Sequence, residues 1–461
     1  MATSYTYDAA SQLLSLAHQF GATTINSFAY TYDKVGNRKS KADNAGTANY
    51  TYDVLNRLTQ AVNPLPSNPL ETFNYDPVGN RANSNQNGAS IFNTANQLLE
   101  DANFTYQYDN NGNMIQKTAK IGGAVTIYEY DAENKLVRVV SSNITANYKY
   151  DGLGRRVEKE VVSGSATTTR YVYDNEDILL ELNGSNNIVA RYTHGPGIDE
   201  PLIMEKSGAS FYYHADGLGS ITEMTNQTGI VAQRYTYSSF GKLESQLDPN
   251  IVQPHTFTSR ELDSETGLHF YRKRYYDSST GRFLQEDPIT FLSGDSNFYR
   301  YVRDNPVIYT DPSGLYLSSL HTSITLGVMR GMNFPMPMAN QVASYSGLSD
   351  WNPTWQISQA VENAHWHGMR PPWLTPEQAR DLTERFISRM IANCDLESLG
   401  RAIHAGQDTT APGHQGWQEY TGTVTREHMA GDAFPPSENL ASAQRITFEI
   451  IIRWQRQCAC Q

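Results

Sequence analysis

The sequence predicts a multidomain chain, a long antiparallel β array followed by an all-α domain. Two observations carry that prediction. A Tyr-x-Tyr-Asp theme recurs through the first two thirds of the chain and then stops. Past Leu315 the vocabulary changes: all six Trp and all three Cys lie there, no Lys does, and of the 29 Tyr only Tyr316, Tyr345 and Tyr420 do. A compositional break of that size marks a domain boundary.

The repeat comes first. Tyr30-Thr31-Tyr32-Asp33 runs into Lys34-Val35-Gly36-Asn37-Arg38, Tyr50-Thr51-Tyr52-Asp53 into Val54-Leu55-Asn56-Arg57, and Phe73-Asn74-Tyr75-Asp76 into Pro77-Val78-Gly79-Asn80-Arg81. The theme returns at Tyr106, Tyr128, Tyr148 and Tyr171. Side chains alternate along a strand, so Tyr-x-Tyr places two aromatics on one face. Asp ends the strand, and the Gly or Asn that follows supplies the positive-φ turn. One such unit is too small to bury a face alone, so the units must stack into a continuous sheet.

Composition narrows the class. The 461 residues suggest two or three domains, and the net charge of −12 argues against a general polyanion-binding surface. No apolar run has the length of a bilayer span, and Met1-Ala2-Thr3-Ser4-Tyr5 enters the repeat without a signal segment. Export is therefore expected by a non-classical route, as a secreted or delivered effector. Cys394, Cys458 and Cys460 are too few for a disulfide framework, and Cys458-Ala459-Cys460 reads as an inert tail.

The repeat units resemble the YD repeats of RHS-type polymorphic toxins, of the C component of insecticidal toxin complexes, and of teneurins. The resemblance covers about residues 5 to 315 and implies a spiralling antiparallel sheet that forms a shell around a C-terminal cargo. Phe211-Tyr212-Tyr213-His214-Ala215-Asp216-Gly217-Leu218-Gly219-Ser220 strengthens it. Thr266-Gly267-Leu268-His269-Phe270-Tyr271-Arg272-Lys273-Arg274-Tyr275-Tyr276-Asp277, then Gly281 to Ile289 and Asp311-Pro312-Ser313-Gly314-Leu315, is similar to the RHS-associated core domain. The expected division is a YD-repeat shell over residues 1–210, the core block over 211–315 and the cargo over 316–461. About 190 strand residues at roughly 3.3 Å by 4.8 Å cover about 3,000 Å². A shell around a cargo with a gyration radius near 15 Å needs on the order of 6,000–7,000 Å². The expectation is an open shell or a longer parent protein, and the start within a repeat favours a missing N-terminal shell segment.

Peptide hydrolysis by carboxylates needs two of them in one place, one ionised to activate water and one protonated to polarise the carbonyl. The resemblance assigns an aspartyl pair and an assisting Arg, which map onto Asp287, Asp311 and Arg274, with the scissile bond between Leu315 and Tyr316. Taken alone, each Asp-Pro is a turn in which Pro fixes φ.

The last third reads as helical. Apolar residues recur at helical spacing over 356–365, 396–404 and 441–454, and Thr375-Pro376 has the form of an N-cap followed by Pro at the first helical position. Six of the eleven His lie in this part. His404 and Asp408 stand four apart on one helix face, His428 and Asp432 repeat the spacing, and the turn before His414 can return it to the same centre. Mixed imidazole and carboxylate ligands suit Zn²⁺.

This pattern resembles the zinc-dependent phospholipase C and single-strand nuclease superfamily, helical enzymes with a cluster of about three Zn²⁺. His404-x-x-x-Asp408-x-x-x-Pro412-x-His414 is similar to its central motif, His428 and Asp432 to its final pair, Asp350 and His365 to its early pair, and His321 to its first His. Asp350 is expected as ligand or base. His367 has no counterpart. The family's N-terminal residue binds zinc through a free α-amino group, and a cut after Leu315 would give Tyr316 that group.

The expected function is an RHS-type toxin that cuts itself after Leu315 and releases a zinc-dependent phosphodiesterase. Its substrate is a phospholipid or a nucleic acid; the short Tyr316-to-His321 spacing and Asp432 as last ligand lean toward the nuclease branch. A cognate immunity protein and a delivery apparatus are the implied partners. The alternative is a teneurin-like adhesion shell with a non-catalytic tail. A peptidase is disfavoured, since no His-Glu-x-x-His occurs.

Overall fold

A computed structural model of the chain describes residues 1–8, 12–290, 295–315, 374–408 and 437–458, with single positions between 325 and 346. The chain divides into two compact units, one of residues 1–291 and 295–316, the other of 292–294 and 317–461.

The first unit is antiparallel β throughout its described strands. Strands β1 (Ala2–Tyr7) to β9 (Gly88–Ala89) form one sheet, β10 (Ile91–Phe92) to β25 (Leu243–Gln246) a second of sixteen strands, and β26 (Glu261–Asp263) to β29 (Arg282–Phe283) a small third. In each sheet the spatial order is the sequence order. The change from repeat to core block at 210/211 falls inside β22 (Ala209–Ala215), and the sheet runs on through it.

The Asp of each repeat makes the hairpin turn. Asp33 Oδ1 accepts from the backbone N of Val35 at 3.0 Å and of Asn37 at 2.9 Å, with Gly36 at φ 91°. Asp53, Asp109 and Asp151 repeat this, with Asn56, Gly112 and Gly154 at positive φ. The two Tyr of a unit do different work. The first is buried, as at Tyr30, Tyr106 and Tyr148. At the second the register slips by one residue, as between Thr31 and Tyr32 and between Lys149 and Tyr150. The bulge turns its hydroxyl toward the preceding hairpin, where it donates to the first carbonyl of the return strand. Tyr52 bonds Arg38 O at 2.6 Å, Tyr75 bonds Leu58 O at 2.7 Å, Tyr150 bonds Leu136 O at 2.6 Å and Tyr237 bonds Ile221 O at 2.6 Å. Each repeat is thus clipped to the one before it.

Side chains tie the first sheet to the last strands of the second. His18 Nε2 meets Ala215 O at 2.8 Å, Asn26 Nδ2 donates to Glu223 Oε1 at 2.6 Å, Gly217 N donates to the Tyr30 hydroxyl at 2.7 Å, and Lys41 pairs with Asp216 at 3.1 Å. The core block adds its own aromatics. Phe270 and Tyr275 pack with Tyr106, Tyr128 and Tyr148; Tyr271, Tyr276, Phe283 and Tyr301 pack with Leu58 and Phe73. Arg156, 1% exposed, anchors the sheet to this block through Glu261 at 2.7 Å and Asp263 at 2.5 Å.

The described part of the second unit holds three helices, α1 (Pro376–Ala392), α2 (Leu396–Asp408) and α3 (Ser437–Cys458). Thr375 caps α1 as expected: its Oγ1 accepts from Gln378 N at 3.3 Å, and Gln378 Oε1 accepts from Thr375 N at 2.8 Å. Phe386, Ile387, Leu399, Ile403, Ile450 and Ile451 form the core between the helices. The helix expected at 356–365 lies outside the described residues.

The cysteines depart from the sequence expectation. Cys458 is not part of an inert tail; it is joined to Cys394 by a disulfide with Cα atoms 5.5 Å apart. Packing α3 along α1 brings its last turn beside the α1–α2 turn, a proximity that 64 residues of separation conceal. A crosslink closing a loop of 64 residues stabilises by about 4 kcal/mol in the chain-entropy account. Calorimetry with and without reductant should show the transition of the helical unit lowered on reduction by about that amount, with the β unit unmoved.

Candidate functional site

Arg274, Asp287 and Asp311, expected from sequence to act together, come from three parts of the core block. Arg274 opens β28 (Arg274–Asp277), in a tight hairpin with β27 (Leu268–Tyr271). Asp287 and Asp311 each begin an Asp-Pro turn, as local chemistry requires. Thr290 N donates to Asp287 O at 2.8 Å, and Gly314 N approaches Asp311 O at 3.4 Å. Gly314 has φ 71°, and a Cβ there would collide with the Tyr271 carbonyl, so only Gly passes.

The turns are ordinary; the burial of their carboxylates is not. Arg274 is 1% exposed, Asp287 3% and Asp311 2%. The guanidinium lies 3.6 Å over the Phe283 ring. Its Nη2 stands 3.0 Å from Asp287 Oδ2 and 3.5 Å from Asp311 Oδ2. Its Nη1 donates to Phe298 O at 2.9 Å, and its Nε donates to Gly314 O at 2.5 Å, next to the expected scissile residue. Asp311 Oδ1 accepts from Leu315 N at 3.0 Å, while Asp311 Oδ2 has no aligned hydrogen bond.

One guanidinium balances one carboxylate. Among the described residues the second negative charge has no cation of its own, and a bare charge in a buried site is expensive. Burial pushes the Asp311 carboxyl up to about 6, against the pull of Arg274 and with help from Asp287. Burial also raises Asp287, again against Arg274. The pair therefore holds a proton to a higher pH than two exposed carboxyls would, with Asp311 Oδ2 the oxygen left open to carry it.

Two further side chains complete the site and were not singled out in the sequence. Ser313 Oγ lies 3.1 Å from the Leu315 carbonyl oxygen and 3.3 Å from Asp311 Oδ1. Phe283 supplies the ring under Arg274. Ser313 fills the open position of Asp-Pro-x-Gly, where residue type alone carries no signal.

Of the expected metal ligands, His404 and Asp408 are described. They sit on one face of α2, both buried, with Nε2 and Oδ2 3.1 Å apart. Their donor chemistry fits two ligands of a zinc centre; the same geometry fits a buried ion pair. Among the described residues no group of three or more His, Cys, Asp or Glu converges. Tyr316, His321, Asp350, His365, His414, His428 and Asp432 lie outside the described residues.

The Teneurin YD-shell family model matches residues 6–307, and the chain belongs to that family. The match stops before the helical unit. The chain is 28% identical over 320 residues to Double-stranded DNA deaminase toxin A of Burkholderia cenocepacia (strain H111), covering 62% of this chain and 22% of that protein. It is 31% identical over 317 residues to tRNA nuclease WapA of Bacillus subtilis (strain 168), covering 67% and 12%. It is 24% identical over 363 residues to Toxin protein Tse5 of Pseudomonas aeruginosa, covering 68% and 27%. The matched parts are therefore a quarter or less of most of these relatives. The crystal structure of TcdB2-TccC3-TEV superposes with a TM-score of 0.52 at 22% identity, over 68% of this chain and 18% of that one; the likeness shows the fold alone.

Asp311 should weaken the fold at neutral pH. A carboxyl raised to about 6 in the folded state and near 3.9 when unfolded costs nothing below about pH 4 and about 3 kcal/mol above pH 6. Asp311→Asn keeps an acceptor for Leu315 N and does not titrate. Its stability relative to the parent chain should rise by about 3 kcal/mol between pH 4 and pH 8, measured by urea unfolding of the β unit.

Proposed function

We propose that the chain is an RHS-type polymorphic toxin whose β unit cuts the Leu315–Tyr316 bond and releases a zinc-dependent phosphodiester hydrolase. The observation that carries the first half is the buried pair of carboxylates sharing one nitrogen of Arg274, with Leu315 N on one of them. A structural ion pair needs one carboxylate; hydrolysis needs two.

In this reading Asp287 takes a proton from water as its oxygen adds to the Leu315 carbonyl carbon. Asp311 gives a proton toward the carbonyl oxygen, and Ser313 Oγ polarises that oxygen. The C–N bond breaks, and the Tyr316 nitrogen leaves as an amine, taking up a proton. One peptide and one water become a Leu315 carboxylate and a Tyr316 ammonium. Arg274 Nε holds the Gly314 carbonyl and so fixes the segment for attack.

The relatives' names, which specify DNA, tRNA or a toxin, support a toxin that acts on nucleic acid; phospholipid is the other substrate within the resemblance. His404 and Asp408 would hold zinc together with His321, Asp350, His365, His414, His428, Asp432 and the Tyr316 amine. Zinc bound there supplies an activated water and charge neutralisation for attack on a phosphodiester. The cut would complete the ligand set, because an amide nitrogen cannot bind zinc as an amine does. The family match itself favours one other reading, a teneurin-like shell with a non-catalytic tail. In that case the chain carries no zinc.

Two outcomes are expected. On a denaturing gel the parent chain runs as two fragments, while Asp311→Asn and Asp287→Asn run as one, and the cleavage rate falls as pH rises above about 6 because the acid form of Asp311 is lost. A cut Asp311→Asn chain would overturn the mechanism. Metal analysis of purified protein should give about three zinc per cut chain and fewer in uncut Asp311→Asn, with chelator-sensitive hydrolysis of single-stranded nucleic acid in the cut protein alone. Equal zinc content and equal activity in both would remove the role of the Tyr316 amine.

A further inference from the structure

The contacts between the first sheet and the last strands of the second enclose a cavity of about 200 Å³. At roughly 30 Å³ per water it holds a group the size of six or seven waters. Arg38, Lys41, Tyr50, Asp216, Glu223 and Ser239 are among its walls. Asn44 and Ala45, in the hairpin turn after Asp43, are exposed wall residues.

Arg38 is the unusual wall residue. It is 5% exposed, and its guanidinium lies 4.3 Å over the Tyr30 ring. Among the described residues it makes no ion pair and no side-chain hydrogen bond, and its Nε is buried without a partner. The same place in a later hairpin is Arg156, five residues past its Asp, and there two carboxylates hold the guanidinium. At Arg38 the nearby carboxylate is Asp216, which Lys41 takes at 3.1 Å. The walls carry three cations, Arg38, Lys41 and Arg234, and three carboxylates, Asp43, Asp216 and Glu223. Arg234 stands 3.5 Å from Glu223, which also accepts from Asn26 and Thr222. Asp43 accepts from Ala45 N within its own turn. Among the described residues, Arg38 is therefore the wall cation that no carboxylate contacts.

A buried guanidinium is stable when its donors are satisfied, and its fork matches an oxyanion in two-point fashion. We propose that this cavity is a binding site for a small oxyanion, a phosphate or carboxylate group, received by the Arg38 guanidinium. Tyr50 and Ser239 are among the neutral polar groups of its walls. A ligand there joins residues 38–50 of the first sheet to residues 216–239 of the second, so it would stiffen the unit at that junction. The volume admits phosphate or a small dicarboxylate and excludes a nucleotide chain.

The test uses the full chain carrying Asp311→Asn, so that any cleavage does not enter. Inorganic phosphate and succinate are titrated by calorimetry at pH 7 and constant ionic strength, with chloride as control. Saturable binding of one equivalent of either oxyanion, with a raised melting temperature of the β unit, is expected; the tighter of the two names the ligand class. Arg38→Met keeps the stem over Tyr30 and should lose the response without a lower melting temperature in chloride. Should that variant fail to fold, Arg38→Lys keeps the charge and should bind about tenfold more weakly, since it loses two-point contact. No saturable heat with either oxyanion, or an Arg38→Lys chain that binds as the parent does, overturns the proposal.

Discussion

One guanidinium holds the end of the β unit together. Arg274 reaches both Asp-Pro turns, the Phe298 carbonyl and the Gly314 carbonyl, and it does so at 1% exposure on the face of Phe283. Remove its charge and two buried carboxylates are left facing each other without it. Leave it in place and they still outnumber it. Burial of the carboxyl, with Asp287 adding to it, is paid in stability and raises the pKa of Asp311. A fold that needed only a staple at this point would carry one Asp.

The repeats supply the dry surroundings that make the excess matter. Their aromatics pack against Tyr275, Tyr276 and Phe283 of the core block and take Arg274 out of water. The Tyr hydroxyl clips set the spacing of successive hairpins, and the bulge at each second Tyr is what aims the hydroxyl back. The burial of Arg274 thus depends on two sheets that begin at Ala2 and at Ile91.

Much of this was legible in the sequence. Tyr-x-Tyr-Asp followed by Gly-Asn or Asn-Arg encodes strand, Asx turn and positive φ within one stretch of chain, so the antiparallel order could be read directly. Thr375-Pro376 announced α1 in the same local way. Other features are not local. The hydroxyl clips require knowing which hairpin lies beside which. The links from His18 to Ala215 and from Asn26 to Glu223 join residues 197 apart. The Cys394–Cys458 bridge depends on the packing of α1 and α3. The aspartyl site was placed by resemblance, because two Asp-Pro turns look alike whether exposed or buried. Ser313 and Phe283 carried no signal of their own. Of the metal ligands expected from sequence, His404 and Asp408 share a helix face as their spacing requires, and spacing alone goes no further than that.

The central claim is that the β unit breaks the chain at one bond. The direct measurement is the intact mass and N-terminal sequence of the smaller species in the purified protein. The account predicts a fragment of residues 316–461 that begins Tyr316-Leu317-Ser318 and carries a free α-amino group. A single species with the mass of the whole chain, or a fragment that begins at any other residue, would contradict it.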